Sequence, residues 1–430
     1  MTSEFKHILR CTLCGKEYSP DPYRLQCDVE HKPSLLRAIY SRKKLEIKEN
    51  LPGLFRFIDW LPVDRYLDNV EGKPITYQSK NLGYHLGLDN LFICFNGYWP
   101  ERDGRIFTCS FKELEAFSVL ARIPKNNKKT LVVASAGNTG RAFANICSQH
   151  QIPFVLVIPE QSLSSMWSHV SFESCVRLIV VSGNSDYSDA IRLSKIISKL
   201  DGFFPEGGAA NIARRDGMGL PVVDAVSTIG EIPDRYFQAV GSGTGGISAW
   251  EANLRFLEDG RFGSKKMKLN LAQNIPFTPI TDAWKAGIRE IPPLNEIEAK
   301  KLINQAHAKV LTNRNPAYSI AGGVYEALVD TDGEMYGVTN EESEKARVLF
   351  EKLEGIDICP AAGVATGALI QAVESGKVDK KETILLNITS GGYNRMRQDF
   401  TFNYLKPDLV FTPQEIEPDL VAHKLARSKV

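Results

Sequence analysis

Short, mostly apolar runs that each stop at a glycine-bearing turn constrain what this chain can fold into. Leu131-Val132-Val133-Ala134 stops at Ser135-Ala136-Gly137-Asn138-Thr139-Gly140. Tyr236-Phe237-Gln238-Ala239-Val240 stops at Gly241-Ser242-Gly243-Thr244-Gly245-Gly246, and Thr383-Ile384-Leu385-Leu386-Asn387-Ile388 at Thr389-Ser390-Gly391-Gly392. A run in which apolar residues dominate consecutive positions, broken here only by Gln238, Thr383 and Asn387, reads as a strand buried on both faces, the arrangement found in parallel sheets. Residues 154–158, 176–181 and 267–272 read as further strands, and residues 140–149, 164–174 and 247–257 as the helices between them. Strands alternating with helices require crossovers, so the fold class is α/β, with open, mainly parallel sheets flanked by helices.

The chain has 430 residues, more than one hydrophobic core usually serves, and this predicts two lobes. The smaller lobe is placed at about 125–225 and the larger at about 46–124 together with 226–430. Residues 1–45 hold paired cysteines and turn residues and read as a small separate appendage. Residues 274–293, rich in proline and threonine, read as a long connection. Lys and Arg total 52 against 51 Asp and Glu, a balance that argues against nucleic acid or a membrane surface as partner and favours a small molecule. Eight irregularly spread cysteines show no disulfide framework outside the amino-terminal cluster, which points to a reducing compartment. The start Met1-Thr2-Ser3-Glu4-Phe5-Lys6 has an early acid and no apolar stretch, so no secretory signal is expected, and no run approaches the roughly 18 apolar residues of a membrane span. A cytoplasmic protein is expected.

Lys112, in Thr108-Cys109-Ser110-Phe111-Lys112, is the candidate catalytic residue, because lysine is the side chain that forms an imine with an aldehyde and then serves as a base. Taken alone the triplet also fits a surface lysine before a helix. In the turn after residues 131–134, Asn138 offers an amide to a cofactor ring oxygen, or else caps a helix. The loop Gly241, Ser242, Gly243, Thr244, Gly245, Gly246 opens a helix, where consecutive N–H groups surround a phosphate. The same glycines satisfy a dinucleotide fingerprint, but the next strand ends in Ala272-Gln273-Asn274 without the acid that a ribose would need. A monophosphate cofactor is therefore favoured. Thr389 and Ser390 place hydroxyls at the carboxyl end of a buried strand, suited to an unprotonated pyridine nitrogen, or form a plain turn. Pyridoxal phosphate unites these readings.

The order Ser-Phe-Lys, Ser-Ala-Gly-Asn-Thr-Gly, glycine loop and Thr-Ser-Gly-Gly resembles the fold type II pyridoxal-phosphate enzymes over about residues 85 to 400. Within that group the chain is similar to the threonine synthase family, whose Asn-Pro-x-Arg-x-x-Gly stretch holds the substrate phosphate. Asn211-Ile212-Ala213-Arg214-Arg215-Asp216-Gly217 corresponds to it, which makes Asn211 and Arg214 candidate phosphate ligands, with Thr139 and Ser135 as further substrate contacts. The family's lysine is followed by Asp-Arg-Gly, whereas Glu113-Leu114-Glu115 follows Lys112, so the groups around the amine differ. As a whole the chain resembles the archaeal paralogues of threonine synthase that exchange the phosphate of O-phospho-L-serine for sulfite. That resemblance implies these two small molecules as partners and a homo-oligomer. Threonine synthesis from phosphohomoserine and water, a sulfide-using cysteine synthase, a silent ligand sensor and a dinucleotide-dependent dehydrogenase are the alternatives. Arg141, Lys285 and Arg395 are basic residues available for a sulfite site.

Cys11-Thr12-Leu13-Cys14-Gly15 has the spacing of a metal half-site, and Cys27 with His31 completes a three-cysteine, one-histidine set. It resembles the cysteine ribbon of some threonine synthases, whose last cysteine is missing here. It reads as a zinc site or as a metal-free remnant. Cys109 reads as packed rather than reactive.

Overall fold

The computed structural model describes residues 5–428, and the apolar runs are strands within it. Residues 1–4, which carry most of the start read above for a secretory signal, lie outside the described residues. Thr130–Ala134, Phe154–Pro159 and Val176–Val181 pair in parallel within a five-stranded sheet, with Phe203–Pro205 at one edge and Leu409–Phe411 at the other. The second sheet has six strands, in the order Glu334–Val338, Lys268–Asn274, Arg235–Ala239, Thr383–Ile388, Asn90–Phe95 and Ile75–Gln78. All its pairs are parallel except the last. Every residue of Phe154–Pro159 is buried: Leu156 and Ile158 pack with Phe143, while Val155 and Val157 pack with Leu193 from the opposite side. Helices on both faces are thus the reason these strands read as continuous apolar runs. Among the described residues no helix is long and apolar enough to cross a membrane.

The amino-terminal appendage is a three-stranded antiparallel sheet of Glu17–Tyr18, His7–Cys11 and Leu36–Tyr40. It docks on the long helix Ile212–Ile229, where Tyr40 donates to Asp216 at 2.6 Å and Arg215 donates to the Leu36 carbonyl. Leu9, Leu36 and Tyr40 therefore belong to the same apolar cluster as Ile212 and Val222. The helix Ile212–Ile229 is itself gripped between two others. A Cβ on Gly217 would meet the Leu114 carbonyl oxygen of helix Lys112–Arg122 at 2.7 Å, and one on Gly219 would meet the Ser248 carbonyl of helix Thr244–Asp259 at 3.1 Å. The missing side chains let the backbones approach, and Arg214, one turn before Gly217, is carried against the start of the Lys112 helix.

Two local readings differ from the structure. Residues 164–174 form no α-helix: a 3-10 turn ends at Ser165, and Trp167–Ser168 pairs antiparallel with Asn403–Tyr404. Trp167 stacks on Phe402 with ring centroids 4.1 Å apart, a distant contact that overrides local propensity. The stretch 274–293 contains the helix Pro279–Lys285, with Pro279 in its first turn. The sequence grouped residues 226–430 with the larger lobe, yet Leu409–Phe411 and helix Pro418–Ser428 return to the five-stranded sheet, where Phe411, Val421 and Leu425 complete the face around Leu193 and Ile197.

Gly392 has φ of 79° and precedes helix Tyr393–Asp399, and a Cβ there would lie 1.9 Å from the Tyr98 carbonyl oxygen. Both the backbone angle and the contact exclude a side chain. Gly392→Ala should lower stability by more than about 1 kcal/mol, read as a lower urea midpoint; an unchanged midpoint would contradict the close approach.

Candidate active site

The predicted motifs converge because each follows the carboxyl end of a parallel strand, the edge at which open α/β sheets present ligands. Ser135, Asn138 and Thr139 come from the five-stranded sheet; Gly241, Ser242, Gly243, Gly245 and Thr389 come from the six-stranded one. They line one cleft together with Lys112 and Arg214. Residues 309–313, which the sequence did not single out, form part of its wall, and a Cβ on Gly241 would meet the Leu311 backbone at 2.9 Å.

Lys112 is the first residue of helix Lys112–Arg122. The turn that delivers it is fastened to the end of strand Thr383–Ile388: Phe111 N–H donates to the Thr389 carbonyl at 3.0 Å, and Gly391 N–H donates to the Cys109 carbonyl at 3.2 Å. Ser390 Oγ adds a 2.5 Å bond to that Cys109 carbonyl and lies 3.0 Å from the Tyr393 hydroxyl. Cys109 is fully buried with φ of 54°, packed as expected, and burial pushes its thiol far above the ordinary range.

Around the amine stands a row of buried charges. Lys112 Nζ lies 3.1 Å from Glu115 Oε2 and 3.5 Å from Met218 Sδ. Arg214 Nη2 lies 3.0 Å from Glu115 Oε1 and 2.6 Å from Glu206 Oε2, and its Nε donates to Glu206 Oε1 at 2.8 Å. Glu115 is 0% exposed, and neither of its oxygens has a well-aligned hydrogen bond. A carboxylate left this way in a core requires an explanation beyond packing. Burial pushes the Lys112 amine below the ordinary lysine value, while the Glu115 carboxylate pulls it upward and Arg214 adds to the lowering.

The remaining predicted residues have definite places. Ser135 Oγ accepts from Gly140 N–H at 2.8 Å and Gly137 N–H at 3.1 Å, so it shapes its own turn. Asn138 Oδ1 accepts from Arg141 Nη2 at 2.8 Å. Asn211 caps helix Ile212–Ile229, accepting from Ala213 N–H and donating to the Glu206 carbonyl. Ser242 Oγ and Thr244 Oγ1 are 2.8 Å apart at the start of helix Thr244–Asp259, and a Cβ on Gly246 would strike Leu271 at 2.6 Å. Arg141 is consumed by the Thr108 and Ser165 carbonyls, and Arg395 by Glu101 and Asp399, so neither offers a free guanidinium to a small anion. The sequence reading missed Glu206 and Tyr187, the latter a wall of the cleft; nothing in their local context distinguishes them from other residues of their type.

A family model described as "Pyridoxal-phosphate dependent enzyme" matches residues 77–390. The chain belongs to that family. Pyridoxal phosphate is accordingly its cofactor. It is 52% identical to a cysteate synthase of Methanosarcina mazei over 96% of this chain and 99% of that one. It is 49% identical to a cysteate synthase of Methanocella paludicola over 94% and 93%. Among solved structures, maize serine racemase has the same fold, with a TM-score of 0.55 at 14% identity over 76% of this chain and 91% of that one.

The residues present fit the cofactor of this pyridoxal-phosphate-dependent family. The loop 241–246 cannot carry side chains at Gly243 or Gly245, where a Cβ would lie 2.2 Å from Val324 and 2.0 Å from Gln238, and Gly241, Ser242, Gly243 and Gly245 line the cleft at a helix start, the place where backbone N–H groups receive a phosphate. A buried lysine amine faces the same cleft. Glu115→Gln removes the carboxylate beside that amine and should move its deprotonation to lower pH. Acetic anhydride labelling of Lys112 in cofactor-free protein, followed across pH by peptide mass spectrometry, checks this. A midpoint that stays put or rises would show that Glu115 does not act on the amine.

Proposed function

We propose that this chain is a cysteate synthase, a transferase that replaces the phosphate of O-phospho-L-serine with sulfite to give L-cysteate and phosphate. The observation that carries the reading is the near-full-length identity, about one residue in two, to relatives bearing that name. The arrangement of the cleft supports it. Pyridoxal phosphate, when bound, supplies an electron sink that acidifies the proton on the substrate's α-carbon. Lys112 would hold it covalently, with Asn138 at the ring oxygen, the amides of Gly241–Gly246 and the Ser242 and Thr244 hydroxyls at its phosphate, and Thr389 at the ring nitrogen. Thr389 suits that place better than Ser390, whose hydroxyl already donates to Cys109.

Once its amine is free, Lys112 takes the α-proton onto Nζ, and Glu115 beside it steadies the ammonium that results. The β-carbon to oxygen bond breaks, phosphate departs, sulfur of sulfite bonds to the β-carbon, and Nζ returns the proton to the α-carbon. Arg214 uses Nε and Nη2 on its carboxylates, which leaves Nη1 to receive the departing phosphate beside Thr139. Asn211 acts by holding the start of that helix in place. A cytoplasmic setting belongs to the same reading, and the family resemblance supports self-association and a role in coenzyme M biosynthesis.

Incubation with O-phospho-L-serine should release phosphate and yield L-cysteate only when sulfite is supplied; product from phosphohomoserine and water instead would overturn the substrate assignment. Lys112→Ala should lower turnover by about 10²–10⁴-fold or more and abolish the borohydride-trapped cofactor adduct. Arg214→Ala should reduce phosphate release by about 10- to 100-fold, the worth of a charged hydrogen bond. Unaltered release would remove Arg214 from the phosphate site.

A further inference from the structure

We infer that Cys11, Cys14, Cys27 and His31 bind one zinc ion, and that this metal fastens the amino-terminal appendage to the segment backing the glycine loop. The four ligand atoms all lie within 4.8 Å of one another. A tetrahedral zinc with Zn–S of about 2.3 Å and Zn–N of about 2.0–2.1 Å sets its ligands about 3.8 Å apart for two sulfurs and about 3.5 Å for sulfur and nitrogen. Cys14 Sγ and Cys27 Sγ are 3.7 Å apart, and Cys11 Sγ and His31 Nε2 are 3.5 Å apart. Three soft thiolates with one imidazole select zinc over magnesium or calcium.

The surroundings prepare these atoms as ligands. His31 Nδ1 lies 2.7 Å from the Lys32 carbonyl. A carbonyl only accepts, so Nδ1 carries the hydrogen and Nε2 keeps its lone pair toward Cys11. Cys14 N–H points at Cys11 Sγ at 3.5 Å, Val29 N–H at Cys27 Sγ at 3.4 Å, and the Ser34 hydroxyl lies 3.2 Å from Cys11 Sγ. Each such contact suits a thiolate that shares its charge with a metal.

Thr12, between the first two cysteines, donates to the Ala321 carbonyl at 2.9 Å, and Leu35 N–H donates to the same oxygen at 2.9 Å. Residues 317–324 in turn support the glycine loop: Ala317 N–H donates to the Ser242 carbonyl at 2.9 Å, and Val324 lies where a Cβ on Gly243 would be. The metal holds Thr12 in register with Ala321, so its loss loosens the backing of that loop.

Elemental analysis of the full chain, loaded with zinc and desalted, should find about one zinc per chain that a strong chelator removes. Cobalt replacing it should give the charge-transfer absorption of thiolate-bound cobalt. Cys14→Ser/Cys27→Ser should lose the metal and show at least severalfold faster amide exchange across 317–324. Retention of less than about a tenth of an equivalent by the wild-type chain, or full retention by the double variant, would overturn the site. Unchanged exchange across 317–324 in metal-free protein would overturn the fastening. These readouts do not depend on which substrate the cleft takes.

Discussion

The pairing of the Ser110-Phe111 turn with Thr389-Ser390 is the contact on which the active cleft depends. Lys112 has a flexible stem, and a lysine at the open end of a helix would ordinarily wander. Here two backbone hydrogen bonds and one side-chain bond fix the turn before it to the end of a central strand buried on both faces. The six-stranded sheet thereby positions the amine, the glycine loop and the Thr389 hydroxyl as one rigid set, because strand Thr383–Ile388 pairs with Arg235–Ala239, from which the loop departs. Precision of this kind comes from placing reacting groups on ordered elements rather than on long loops.

The buried row Lys112, Glu115, Arg214 and Glu206 is costly on its own terms, since desolvating charges removes more than their mutual attraction restores unless every partner is present. It alternates in sign and is formally neutral with the amine protonated. Glu206 takes two aligned bonds from Arg214, whereas Glu115 is left with contacts that are close but poorly aligned. The first carboxylate thus behaves as an anchor for the arginine, and the second keeps coordination capacity directed at the amine. Gly217 makes the row possible, because only a helix without a Cβ there can come near enough to bring Arg214 to Glu115.

Much of this was legible in the sequence. Strands buried on both faces announce themselves as predominantly apolar runs, and the turns that follow them name the edge at which ligands sit. In the sequence Asn211 reads only as a phosphate ligand, and its role as the cap of helix Ile212–Ile229 comes from the structure, although its type and its place before a helix suit a cap. The pairing of Arg214 with Glu115 was not legible: it joins residues about a hundred positions apart, and only the facing of helices Lys112–Arg122 and Ile212–Ile229 brings them together, while Glu206 reaches Arg214 from the loop just before the second of these helices. Trp167 reads as helical in its own neighbourhood and becomes a strand because Phe402, more than two hundred positions later, stacks on it. The return of Leu409–Phe411 to the first sheet was hidden for the same reason, since its apolar pattern is short and its partner strand lies far back along the chain.

The main chain passes from one sheet to the other on three occasions: between Phe95 and Thr130, between Pro205 and Arg235, and between Ile388 and Leu409. Lys112 rides on the first passage, Arg214 on the second, and the Tyr393 hydroxyl that lies 2.7 Å from Arg141 on the third. A molecule tied by a single strand would open like a book, with its chemistry left on the pages. Here the spine itself bears these three side chains, so any rocking of one half against the other changes the distances among amine, guanidinium and hydroxyl directly.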